Sequence, residues 1–236
     1  MRLDFVGERI LAVVAHPDDA ELFCAGTLAR AKANGAAVGI CVLCSGDKGQ
    51  PAEPVANLAA VRRNEMTAAA ALLGAELFPA GFPDAELADA VAERRKLLSV
   101  YREFVPTLVL THSPDDYHPD HRATAALAEA VSWFATSRGQ VTREPPLANQ
   151  PALWWMDTLG MTDFEPGFFI DIGKYTDVKH RMMRCHKTQL IRGKDGEFGK
   201  LEEMMRRQYE TRGAQAGVAA AEVFCIHRAF KRARAW

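Results

Sequence analysis

Neither sign of charge dominates this sequence: 29 Lys and Arg stand against 30 Asp and Glu, a formal net charge of −1. A chain built to hold a polyanion needs a basic excess, so nucleic acid is not an expected partner. No stretch approaches the roughly 20 apolar residues that cross a bilayer. Residues 1–7 lack the basic-then-apolar order of a secretory signal. A cytoplasmic protein with no membrane partner is therefore expected. The five cysteines are odd in number and scattered, which disfavours a disulfide framework. Internal repeats and low-complexity tracts are missing. So is a G-x-G-x-x-G string, and Ser45-Gly46-Asp47-Lys48-Gly49 lacks the Gly-Lys-Ser/Thr ending of a phosphate-binding loop. What remains is a chain of 236 residues, 48% hydrophobic and 25% charged. It can bury one sizeable core and is short for two, so a single domain over residues 1–236 is expected.

Short apolar runs alternate with longer helical stretches. Residues 10–15, 37–44, 75–79 and 107–111 read as strands, the continuous apolar runs implying burial on both faces. Residues 21–34, 57–73, 87–104 and 121–136 read as helices, the first two closed by Gly35 and Gly74. This rhythm predicts an α/β Rossmann-like fold, a mostly parallel sheet with helices on both faces. Residues 137–151 read as an exposed connection. Strands are then expected at 152–157, 168–172 and 221–230, helices at 176–186 and 197–212, and a loop at 191–199. In such sheets ligands sit beyond the C-terminal strand ends, which singles out the segments starting at His16, Ser45 and His112.

Two of these turns concentrate imidazoles and carboxylates: His16-Pro17-Asp18-Asp19-Ala20-Glu21 and His118-Pro119-Asp120-His121. A catalytic zinc takes three His or Asp/Glu ligands and keeps a position open. His16 and Asp19 can face one point across a Pro-directed turn, and His121 can supply a third ligand. Asp18 is placed to take a proton from water, His118 to stabilise an oxyanion, and Asp120 to orient His118 through a hydrogen bond. A helix-capping loop would use the same residues in either motif alone. Their coincidence at two strand ends favours a metal site.

These motifs resemble the paired signatures of the PIG-L (LmbE-like) family of zinc-dependent deacetylases, with Ala20 inserted before Glu21. Arg62-Arg63-Asn64-Glu65 followed by Leu72-Leu73-Gly74, Phe82-Pro83-Asp84, and Lys179 with His186-Lys187-Thr188-Gln189 are similar to further stretches of that family. The resemblance implies an LmbE-like fold and Zn2+-dependent hydrolysis of an N-acetyl group, most often on a glucosamine unit. By motif position it implies His16, Asp19 and His121 as metal ligands. Asp18 would be the base, His118 the oxyanion-stabilising group and Asp120 its partner. Arg62, Asp47 and Asp84 fall where the family binds substrate substituents, and His186 is a pocket-lining candidate. Several members carry a mobile Tyr where this chain has Asp116, which leaves the adjacent Tyr117 as the substitute. The implied partner is a small amino-sugar molecule, with self-association as a trimer or hexamer.

Other readings stay open at this point: an amidase on a thiol conjugate, a deacylase of an antibiotic intermediate, or a non-catalytic sugar- or nucleotide-binding module. His112, His180 and His227 read as structural. Cys41 and Cys44, three apart on a strand, should point to opposite faces as small core residues. The basic tail, residues 231–234, reads as solvated.

Overall fold

The computed structural model describes residues 4–192 and 200–228. Among these, β1 (Arg9–Val14), β2 (Ala37–Cys44), β3 (Glu76–Phe82), β4 (Leu108–Thr111), β5 (Ala152–Met156), β6 (Phe168–Asp171) and β7 (Ala221–Ile226) form one sheet. Its order is β3-β2-β1-β4-β5-β7-β6. The first five strands are mutually parallel, and β7 runs antiparallel to both β5 and β6. The helices are α1 (Asp19–Phe23), α2 (Ala25–Ala33), α3 (Leu58–Leu73), α4 (Val91–Phe104), α5 (Pro119–Phe134), α6 (Thr176–Met183), α7 (Lys187–Arg192) and α8 (Leu201–Ala216). The expected α/β architecture is the observed one. No helix among the described residues is long and apolar enough to cross a membrane.

The period-2 geometry of a strand explains the unbroken apolar runs. Ile10, Ala12 and Val14 enter one core with residues of α2, α3 and α6, whereas Leu11 and Val13 enter a second core with residues of α4 and α5. Cys41 and Cys44 depart from this alternation. A β-bulge between Val42 and Cys44 shifts the register, so both cysteines join the second core. All five cysteines are free thiols.

The helix expected over residues 21–34 is broken at Cys24, where φ is −144°. A buried ion pair explains the break. Lys179 Nζ donates to the Leu22 carbonyl oxygen at 2.9 Å and to Glu222 Oε1 at 2.6 Å. Glu222 in turn accepts from the main-chain N–H groups of Gly26 at 2.9 Å and Thr27 at 2.6 Å. The bond that Gly26 N–H would make to Leu22 in a continuous helix is thus replaced by one bond from each end of the pair. The pair anchors α1 and α2 to α6 and β7. Other boundaries move less. β3 extends to Phe82, α4 starts four residues late, and α5 starts at Pro119 with His118 as N-cap, a position suited to a missing N–H. Residues 191–192 close α7, while 193–199 and the basic tail at 231–234 lie outside the described residues.

Removing one member of a buried pair strands the other charge. Lys179→Met is therefore expected to lower unfolding stability by about 3–5 kcal/mol in urea denaturation. A loss below about 1 kcal/mol would mean that the two main-chain amides satisfy Glu222 unaided.

Candidate active site

The turns after β1, β2, β3 and β4 open on one edge of the sheet, around a cleft of about 510 Å³. His16, Asp18 and Asp19 come from the β1–α1 turn, and Tyr117, His118, Asp120 and His121 from the β4–α5 turn. The two groups meet because β1 and β4 are direct neighbours, with Val13 opposite Thr111.

Asp19 is the meeting point. Its Oδ2 accepts from the main-chain N–H of His16 at 2.6 Å and lies 3.5 Å from His16 Nδ1. The same oxygen is 3.4 Å from His121 Nε2 and 3.2 Å from His112 Nε2. Each candidate ligand imidazole has a second carboxylate behind it. His16 Nε2 is 3.0 Å from Asp120 Oδ2, and His121 Nδ1 is 3.1 Å from Asp116 Oδ2. In metal sites a carboxylate behind an imidazole fixes the ring orientation and raises ligand basicity. Ligand atoms of His16, His118 and His121, and those of Asp19, His112 and His121, lie within 4.8 Å of one another, so the donor chemistry of this His/Asp cluster fits a divalent ion. Burial alone would lower the imidazolium of His16, but Asp120 and Asp19 outweigh it and raise it to about 10. Likewise Asp19 and Asp116 overcome burial and raise His121 to about 9. A bound cation would displace these protons, so metal affinity should fall as pH falls.

Asp18 does not behave as the N-cap of a capping loop. It occupies φ 106° and ψ −20°, which L-residues rarely adopt, and its side chain makes no capping hydrogen bond. The carboxylate turns into the cleft, where Oδ2 accepts from Gln189 Nε2 at 2.9 Å. Burial and the adjacent Asp19 push the Asp18 carboxyl up to about 7. His118 accepts a hydrogen bond at Nδ1 from the Asp120 N–H at 3.2 Å. In the neutral ring the proton then sits on Nε2, a donor. Burial and the imidazoles of His16 and His121 hold His118 below the usual histidine range, which favours that neutral form.

Some expected roles change. The Asp120 side chain does not orient His118. It accepts from Ala85 N–H at 2.9 Å and faces His16, and its main-chain amide does the orienting. The reason is position: as the second residue of α5, Asp120 has its amide free to cap the turn. His186 does not line the cleft. It is fully buried, with Nε2 3.3 Å from Glu21 Oε2, and braces α1 from behind. Asp47 also stands outside the lining and accepts from the Asp84 N–H at 2.9 Å. Asp84 reaches the cleft but is engaged by the N–H groups of Gly46 at 2.8 Å and Lys48 at 3.2 Å. Gly46 has φ +75°, and a Cβ there would meet Arg62 at 2.5 Å, so this turn requires glycine. Arg62 borders the cleft yet is 1% exposed. Tyr117 is exposed at the rim, its ring 6.0 Å from that of His118.

Sequence reasoning assigned no role to Gln189 or Asp116 and read His112 as structural, and all three touch the cluster. The His186-Lys187-Thr188-Gln189 string was the available signal for the first. His112 stacks on His121 at 3.8 Å and accepts from Ala15 N–H at 3.0 Å. Burial and His121 push it down to about 4, so it is a neutral wall. Cys44 also comes within reach, its sulfur within 4.8 Å of ligand atoms of His16 and Asp120. Outer carboxylates typically contribute 10–100-fold to metal affinity. Asp116→Ala should weaken binding of a divalent ion by about that factor in calorimetric titration. An unchanged affinity would remove Asp116 from the site.

A 1D-myo-inositol 2-acetamido-2-deoxy-alpha-D-glucopyranoside deacetylase of Mycobacteroides abscessus is 27% identical over 238 residues, taking in 80% of this chain and 84% of that protein. The solved N,N'-diacetylchitobiose deacetylase of Pyrococcus horikoshii superimposes with a TM-score of 0.82 at 26% identity, over 93% of this chain and 84% of that one. The 4-carboxy-2-hydroxymuconate hydratase of Pseudomonas putida KT2440 superimposes with a TM-score of 0.80 at 25% identity, over 96% of this chain and all of that one. The family model described as PIG-L: GlcNAc-PI de-N-acetylase matches residues 11–132. That match contains both histidine- and aspartate-bearing turns and more than half of the sequence, and the chain belongs to the PIG-L family.

Proposed function

We propose that this chain is a zinc-dependent N-deacetylase, acting as one domain, that hydrolyses the N-acetyl amide of an N-acetylglucosamine-type sugar or its conjugate. The observation that carries the reading is the buried Asp18 carboxylate at the floor of the cleft, beside a donor set of His16, Asp19 and His121. Similarity to the two deacetylases supports an acetamido sugar as the substrate class. A divalent ion held by that donor set would supply Lewis-acid polarisation of the amide carbonyl and acidify water.

The chain's own residues supply the rest. Asp18 accepts a proton as water attacks the carbonyl carbon. His118 Nε2–H donates to the developing oxyanion, which a neutral imidazole can do without a change of protonation. The C–N bond breaks, the proton taken by Asp18 passes to the leaving amine, and acetate and a free amine result. Asp120 keeps the His16 ring turned, and its amide keeps the His118 proton on Nε2. Tyr117 at the rim and Asp84 at the wall line the cleft that would take the sugar.

The hydratase relative defines a second reading, in which water adds to a substrate and no fragment leaves. Mass spectrometry separates the two: a deacetylase product has lost one acetyl group, a hydratase product has gained one water. Incubation with N-acetylated sugars and zinc should release acetate stoichiometrically with amine. Asp18→Ala should retain the metal and lower turnover by about 10²–10⁴. Retention of most of the rate in that variant would remove Asp18 as the base.

A further inference from the structure

Arg62 stands where the family resemblance places a substrate-binding arginine, yet its guanidinium faces protein. Nη2 donates to the Gly49 carbonyl oxygen at 2.7 Å and to Gln189 Oε1, and Nε donates to Thr188 Oγ at 3.4 Å. A guanidinium has donors and no acceptor, so Gln189 must present its amide oxygen to Arg62. Its amide nitrogen is thereby aimed the other way, at Asp18 Oδ2. Thr188 is fixed in the same sense. Its N–H and Oγ donate to the two oxygens of Glu65 at 2.9 and 2.7 Å, which leaves an Oγ lone pair for Arg62. Every bond in the cluster has one permitted direction. All four of these supporting side chains, Arg62, Glu65, Thr188 and Gln189, are buried.

We propose that Gln189 is a positioning residue for the Asp18 carboxylate, with Arg62 setting the orientation of its amide. Gln189 grips Oδ2 and leaves Oδ1 to receive the proton of the attacking water. Arg62 prevents the Gln189 amide from turning over, since a flipped amide would point its oxygen at the carboxylate. The benefit is alignment: a misplacement of about 1 Å at a reacting group costs about 10²-fold in rate. This inference rests on Asp18 being the base of the proposed hydrolysis.

The test is a double-mutant cycle on the full-length, zinc-loaded protein with an N-acetylated sugar that it hydrolyses. Gln189→Met should lower kcat about 10–100-fold and leave KM within about twofold. Gln189→Glu keeps the shape and the acceptor toward Arg62 but loses the donor toward Asp18, so it should show the same split. In an Asp18→Asn background, Gln189→Met should cost less than about a further twofold, because the group it positions is already gone. Arg62→Lys keeps the charge and loses the fork that holds the Gln189 oxygen, and should lower kcat. Zinc content and thermal midpoint, measured for each variant, show whether it is folded and loaded. A tenfold or larger rise in KM with kcat preserved in Gln189→Met would make Gln189 a substrate ligand and overturn the proposal. So would the same 10–100-fold loss in the Asp18→Asn background. High turnover in Asp18→Asn itself would be a separate failure, that of the base assignment.

Discussion

The parallel pairing of β1 with β4 is the constraint on which the site depends. Ala15 and His112 leave those strands side by side and are joined by a hydrogen bond, although 97 positions separate them in the chain. One more strand between them would part the two turns by about 4.8 Å. Metal–ligand distances near 2 Å leave no room for that, so a different strand order would destroy the site while preserving every residue in it. The cleft opens where β1 is flanked by β2 on one side and β4 on the other, the point at which the order of an open α/β sheet reverses.

Around that point the charges form layers. Asp19 gathers the imidazoles of His16, His112 and His121 on one oxygen, and Asp120 and Asp116 stand behind two of them. The inner carboxylate lies well below the usual range because the charged His121 imidazole outweighs the cost of burying it. Asp18, the next residue along the chain, is raised instead, because burial and the Asp19 charge oppose its ionisation. Two adjacent aspartates thus acquire opposite tendencies from their surroundings. That separation suits one for holding a cation and the other for exchanging a proton.

The second half of the chain holds this arrangement from behind. Lys179 on α6 and Glu222 on β7 take over hydrogen bonds at the α1–α2 break, His186 braces Glu21, and Gln189 on α7 grips Asp18. These contacts span 43 to 196 positions of sequence. The second half thus fixes the orientation of side chains in the turn after β1.

What the sequence determined is local. Unbroken apolar runs required strands buried on both faces, glycines at 35 and 74 marked helix ends, and the two turns carried the donor types a metal site needs. Those follow from side-chain chemistry and from the periods of strand and helix, which neighbouring residues alone express. Tertiary structure decided the pairings. Asp120 turned from His118 to His16, Arg62 faced Gln189, His186 lay behind the cleft, and the 21–34 helix broke around an ion pair made far along the chain. A carboxylate or guanidinium in a sequence states what it can bond to. Which partner it takes depends on which elements the sheet order brings within about 3 Å, and that distance is set only when the whole core has packed.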